Sequence, residues 1–126
     1  MAKISERVIG CAMAVSNELG VGFLESVYAN ALSVELREAG LRFEREKELA
    51  VFYKYERVGI YFADFLVEER LVVELKALSR LAPEHEAQVI NYLRASHLQV
   101  ALLLNFGTTK LGVKRVVLNH DDSRPI

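Results

Sequence analysis

Cysteine is almost missing from this chain. Cys11 is the sole example in 126 residues, so no intrachain disulfide can form and no cysteine-built zinc site is available. It lies in an apolar stretch and reads as a core residue. Proline occurs twice and glycine seven times, which leaves little material for long flexible linkers. No run reaches the ~20 consecutive apolar residues that a bilayer span requires. The opening stretch MAKISERVIG is charged and lacks the apolar block and cleavage site of a signal peptide. The resulting expectation is a cytoplasmic chain without a membrane partner. A dominant charge sign is missing as well: 16 Lys and Arg stand against 17 Asp and Glu, a formal net charge of -1. Free-standing nucleic-acid binders are usually basic. Bulk charge therefore argues against that class unless a local basic patch, an oligomer or a protein partner supplies the attraction.

What is present is ordinary globular material. An apolar fraction of 52% with 26% charged residues excludes disorder, and the length fits one domain over residues 1–126. Residues from Ile4 to Leu19 read as a helix, with Val8, Ile9, Met13 and Val15 as its apolar positions and Gly20 and Gly22 at its end. A second helix runs from about Phe23 to Ala39, with Leu24, Tyr28, Leu32 and Leu36 along one face and Gly40 as a stop. The period then changes. Glu48–Tyr53 and Arg57–Val67 read as strands joined around Lys54, Tyr55 and Glu56, and Leu71–Ala77 as a third strand after a short turn. Pro83 can open a helix continuing to Ala95. Gln99–Phe106 reads as a strand buried on both faces, Val113–Leu118 as a last strand, and DDSRPI as a frayed tail. The predicted fold class is α/β: a mixed sheet of four to five strands flanked by helices, in the order ααβββαββ.

Charge inside two apolar strands carries the chemistry. Asp64 interrupts YFADFLV, and Glu74 and Lys76 interrupt LVVELKA. A carboxylate in such surroundings costs several kcal/mol to desolvate without compensation. Glu74 and Lys76 are two apart and leave the same sheet face. If the strands pair through the short turn, Asp64 and Glu74 converge beside Lys76. Two carboxylates and a lysine suit phosphodiester hydrolysis: hard oxygen ligands fit Mg²⁺, and an ammonium can orient water or stabilise a phosphoryl transition state. The same three charges also satisfy a plain buried ion pair.

The D-(x)n-E-x-K pattern across strand, turn and strand resembles the PD-(D/E)XK nuclease superfamily, with Ala63 where the leading proline would stand. Gly22-Phe23-Leu24-Glu25-Ser26-Val27-Tyr28 reads G-x-x-E-x-x-Y, and Gln88-Val89-Ile90-Asn91-Tyr92 reads Q-h-x-x-Y, with h apolar. Together they resemble the GxxExxY proteins, within the RecB-like and phage lambda exonuclease-like branch of that superfamily. The likeness runs from about Ile9 to Val117. One departure is Ser16, where related sequences often carry a histidine or an aromatic residue.

The resemblance implies a restriction-endonuclease-like core and a metal-dependent nuclease acting on DNA, or alternatively RNA. It assigns Asp64, Glu74, Lys76, Gln88 and Glu25 to catalysis. It gives Asp64, Glu74 and Glu25 to Mg²⁺, with Mn²⁺ as a substitute, and Tyr92 and Tyr28 to the substrate. Spacing alone leaves other readings open: Glu25 as a solvated acid at a helix start, Tyr28 as a packing aromatic with its hydroxyl near the site, and Gln88 and Tyr92 as neighbours on an ordinary amphipathic helix. His85 reads as a surface or capping residue, and His97 and His120 have no metal-ligand spacing with it. Arg70 and Arg80, and Lys110, Lys114 and Arg115, form loose basic groups that either contact phosphate or are simply solvated. A core this small offers little surface for base readout, so structure-directed cleavage, an oligomer or a recruiting partner is expected rather than base-specific recognition. The rival reading is a catalytically silent nuclease-fold module that binds within a repair or defence complex.

Overall fold

Eight elements follow one another in the expected order. They are α1 (Ile4–Leu19), α2 (Glu25–Glu38), β1 (Phe43–Tyr53), β2 (Glu56–Val67), β3 (Leu71–Lys76), α3 (Pro83–Ser96), β4 (Val100–Asn105) and β5 (Gly112–Val117). This computed structural model describes residues 3–119 and 126. His120 and residues 121–125 of the expected frayed tail lie outside the described residues. Ile126 is docked on the core through a hydrogen bond from Ser5 Oγ to its carbonyl oxygen at 2.6 Å.

The helix faces follow from residue spacing, with two corrections. On α1 the buried apolar positions are Val8, Cys11, Ala12 and Val15, an i, i+3, i+4, i+7 stripe flanked by buried Ser5 and Ser16. Met13 falls off that stripe and is half exposed. On α2 Tyr28, Leu32 and Leu36 are fully buried as expected, whereas Leu24 stands at the N-cap, outside the helix, and is 76% exposed.

The strands form one sheet in the order β1-β2-β3-β4-β5. All neighbours are antiparallel except β3 and β4, which run parallel. A parallel pair needs a crossover, and α3 supplies it. β3 and β4 lie in the centre, and only Lys76 among their residues is not buried. That explains their near-continuous apolar sequences. Leu71, Val73 and Leu75 point into the core shared with α1 and α2. Val72 points into the second core, beneath α3. The face carrying even-numbered β3 residues is therefore the face that carries α3.

β1 begins at Phe43, earlier than the sequence indicates. Glu44, Arg45, Glu46 and Glu48 are exposed on this edge strand, so its first half lacks an apolar period. The β1–β2 turn is a two-residue hairpin in which Lys54 and Tyr55 both have positive φ, as primed hairpin turns require.

The segment after β3 is clamped to the end of β4. Asn105 is buried; its Oδ1 accepts from the N–H of Leu78 at 2.9 Å and of Gly107 at 3.1 Å, and its Nδ2 donates to the Leu78 carbonyl at 2.9 Å. The Phe106 N–H donates to the Lys76 carbonyl at 2.8 Å. A Cβ at Gly107 would overlap the backbone N, C and O of Leu78, which no side-chain rotation can relieve. Gly107→Ala is therefore expected to destabilise the protein by about 2–4 kcal/mol, as close-packed backbone and buried hydrogen bonds are lost together. Thermal unfolding should show a Tm drop on the order of 10 °C.

Candidate active site

The β2–β3 ladder stops where charge begins. Paired residues are Val67 with Leu71, Leu66 with Val72 and Phe65 with Val73. The next pair in that register would be Asp64 with Glu74, and there carboxylates replace the backbone ladder. The Asp64 N–H donates to Glu74 Oε1 at 3.0 Å, and the Leu75 N–H donates to Asp64 Oδ2 at 2.7 Å. Each strand thus anchors the acid of the other.

A change of strand phase turns Asp64 toward this opening. Ala63 and Leu66 pack in the α3-side core, whereas Phe65 and Val67 pack against α1 and α2. Strict alternation would place Ala63 and Phe65 on one face, so the alternation slips at Asp64. On the neighbouring strand Lys47 pairs with Ala63 and Arg45 with Phe65. Between them Glu46 has φ 49°, a left-handed conformation uncommon outside glycine. The irregularity thus spans both strands at one level.

Burial sets the protonation of the pair. Glu74 is 5% exposed. Desolvation first, and the adjacent Asp64 carboxylate second, push its carboxyl up to about 8, while Lys76 pulls in the opposite direction. Lys76 is half-buried, two residues beyond Glu74 on the same sheet face. Tyr92, on α3, donates its hydroxyl to Glu74 Oε2 at 3.4 Å. Its phenol is raised above its usual range by burial and then by the charges of Glu74 and Asp64. Its ring leans on Tyr61, with centroids 5.5 Å apart. Gln88 is half-buried one helical turn before Tyr92, a spacing that shares a helix face. His85 caps α3: its Nδ1 accepts from the Ala82 N–H at 2.8 Å.

The G-x-x-E-x-x-Y segment is a latched turn. Gly22 has φ 109°, which a side chain would strain. Tyr28 is fully buried, stacked on Phe106 with centroids 4.9 Å apart. Its hydroxyl donates to the Gly20 carbonyl at 2.6 Å and accepts from the Phe23 N–H at 3.3 Å. The expected substrate contact by Tyr28 is thereby corrected to a structural one, since its hydroxyl is engaged and its ring has no free surface. The latch presents Glu25 at the N-terminus of α2. Glu25 is largely exposed, yet its carboxyl is raised by partial desolvation first and by Asp64 second, with Lys76 opposing. It therefore lies within the field of the strand residues.

Asp64 and Glu74 supply the hard oxygen donors for a cation. Among the described residues no group of three His, Cys, Asp or Glu side chains is placed to hold one ion. Glu25 shares the field of the pair without joining its cluster, an arrangement that fits contact with an ion through water rather than directly. Two carboxylates remain a sufficient protein contribution for Mg²⁺, which keeps several waters and takes further oxygens from a phosphate. The loose basic groups are solvated, and Lys114 is paired with Glu86 at 3.3 Å. The clamp of Asn105 and Gly107 escaped the sequence reading. Asn105 was visible as the amide that interrupts the apolar run Val100–Phe106, the same signal that marks Asp64.

A family model described as the PD-(D/E)XK nuclease superfamily matches residues 2–116. Two solved structures are similar in fold. The crystal structure of SSO0001 has 18% sequence identity and a TM-score of 0.56, with 95% of this chain and 60% of that chain covered. An alkaline exonuclease (LHK-Exo) from Laribacter hongkongensis has 14% identity and a TM-score of 0.56, with 98% and 74% covered. The chain thus spans less than two-thirds of the length of SSO0001, and identities this low speak for the fold alone. No curated protein matches the chain.

Proposed function

The chain belongs to the PD-(D/E)XK nuclease superfamily, and on that footing we propose that it is a divalent-metal-dependent nuclease of the GxxExxY group that hydrolyses phosphodiester bonds, with DNA as substrate before RNA. The observation that carries this reading is the exchange of carboxylates between β2 and β3. Asp64 and Glu74 are held by each other's strand where the ladder opens, with Lys76 on the same face. A plain ion pair has no need of two acids, one of them buried and raised first by desolvation and then by its neighbour. A site awaiting a cation gains from it.

The family generally uses divalent metal ions, and the donor set fits Mg²⁺, with Mn²⁺ as a substitute. Asp64 and Glu74 would hold the ion, and Glu25 would reach it through water. When bound, the metal polarises a phosphoryl oxygen and lowers the pKa of water. Lys76 orients the attacking water and balances charge that grows on the phosphoryl group. Gln88 positions the phosphate from α3. Tyr92 acts through Glu74, holding its carboxylate by a hydroxyl hydrogen bond rather than meeting substrate directly. Tyr28 fixes the turn that presents Glu25. A second copy or a protein partner would supply the positive surface that the near-neutral chain lacks. The compartment consistent with this reading is the cytoplasm. No helix of the described residues is long and apolar enough to cross a membrane.

The direct test is cleavage of single-stranded DNA, duplex DNA and RNA with Mg²⁺, with Mn²⁺ and with EDTA. Cleavage in metal and none in EDTA is the expected result. No cleavage of any substrate, together with no metal binding, would favour the silent binding module.

A further inference from the structure

The β1–β2 hairpin is longer than the sheet that supports it. β2 runs from Glu56 to Val67, yet it pairs with β3 only from Phe65 to Val67. The rest projects as a two-stranded arm beside α3. Between arm and helix lies a groove of about 300 Å³ whose lining includes Val51, Phe52, Tyr61, Asn91, Arg94 and His97. That volume is at the lower end of ligand pockets, ~300–1,000 Å³, and suits an unstacked base.

The lining chemistry is selective. Phe52 is 63% exposed, and Tyr61 offers part of its ring to solvent. Arg94 is exposed and makes no ion pair among the described residues. Among the described residues no acidic side chain lines the groove. Exposed aromatic faces beside an uncompensated cation are the pattern by which proteins hold single strands: bases stack and phosphates meet positive charge. The groove is linked to the candidate centre through packed side chains, not through open surface, because Tyr92 between them is buried. Tyr61 touches Tyr92, and Tyr92 donates to Glu74.

We propose that this groove is the track of a single-stranded nucleic-acid segment leading to or from the carboxylate site, with Phe52 and Tyr61 as stacking platforms and Arg94 as the phosphate contact. The inference rests on the nuclease reading above and narrows its substrate to nucleic acid with an unpaired strand. A duplex could not enter the groove without unpairing.

The test is fluorescence anisotropy of a labelled oligothymidylate bound to the full chain in EDTA, titrated across a series of salt concentrations. Phe52→Ala should weaken binding by roughly five- to a hundredfold, the loss expected for one base-stacking platform. Arg94→Ala should reduce the slope of log K against log salt by about 0.7, one phosphate contact on a single strand, and Arg94→Lys should restore it. A purely structural role for Arg94 would not move that slope. Unchanged binding in both variants overturns the track, and leaves the groove to a protein partner. Absence of any binding by the parent overturns it too. The nuclease reading is judged separately, by whether the parent cleaves DNA in metal and Asp64→Asn does not.

Discussion

Asp64→Asn is expected to lower metal-dependent cleavage by on the order of 10²- to 10³-fold or more, the scale on which loss of one transition-state-stabilising group is felt. Stability should change little. The asparagine amide oxygen can still accept from the Leu75 N–H, so the bond that ties β3 to β2 survives. What is lost is the charge that attracts the cation. Lys76→Ala should lose cleavage to a similar degree for a different reason. Lys76 opposes cation binding by its charge, just as it lowers the protonation of Glu74 and Glu25. Removing it should leave metal affinity unchanged or higher while cleavage falls. This separation distinguishes a catalytic lysine from the partner of a buried ion pair. In an ion pair, loss of Lys76 would leave carboxylates unbalanced and mainly lower stability. Single-turnover cleavage and metal titration on the same preparations read the two effects.

Glu74→Gln is expected to stabilise the metal-free protein at pH 8 while abolishing cleavage. The sign follows from linkage. Burial and Asp64 raise Glu74 from 4.5 to about 8. The folded state thus holds a proton that the unfolded state has already released. Stability from this group is full below the unfolded value and is lost as pH rises through the folded one. Metal-free parent protein should lose a few kcal/mol between about pH 5 and pH 8, at about 1.36 kcal/mol for each pH unit across that window. Glutamine keeps the neutral shape without the ionisation, so its thermal unfolding should be flatter over that range. Its Tm should exceed that of the parent at the alkaline end. Saturating Mg²⁺ should reverse the order, because the ion stabilises the ionised parent and has a poorer site in the variant.

Much of this was legible because the chain spends apolar residues where they are needed. The central strands β3 and β4 are buried on both faces, and the end of β2 beside them is nearly so, so Glu74 and Lys76 on β3 and Asp64 on β2 stood out as charges in apolar strands. Their convergence followed from one short turn. The α2 face of Tyr28, Leu32 and Leu36 was equally plain from its spacing. Besides the Asn105–Gly107 clamp, three features were hidden. The start of β1 is an exposed edge rich in charge, and no apolar period marks it. The phase slip at Asp64 is shared with Glu46 across the ladder, and a single strand read by itself cannot show it. The role of Tyr28 depends on a turn whose backbone carbonyl lies eight residues away. An aromatic at that spacing looks the same whether its hydroxyl meets a substrate or a backbone carbonyl.

The most direct measurement is a calorimetric titration of Mn²⁺ into the parent protein and Asp64→Asn at pH 7, repeated in buffers of different ionisation enthalpy. The parent should bind and release close to one proton per ion, because Glu74 must ionise to serve as a ligand. Asp64→Asn should show no comparable binding. Equal binding in both proteins, or binding by the parent without proton release, would contradict a metal site built on Asp64 and Glu74.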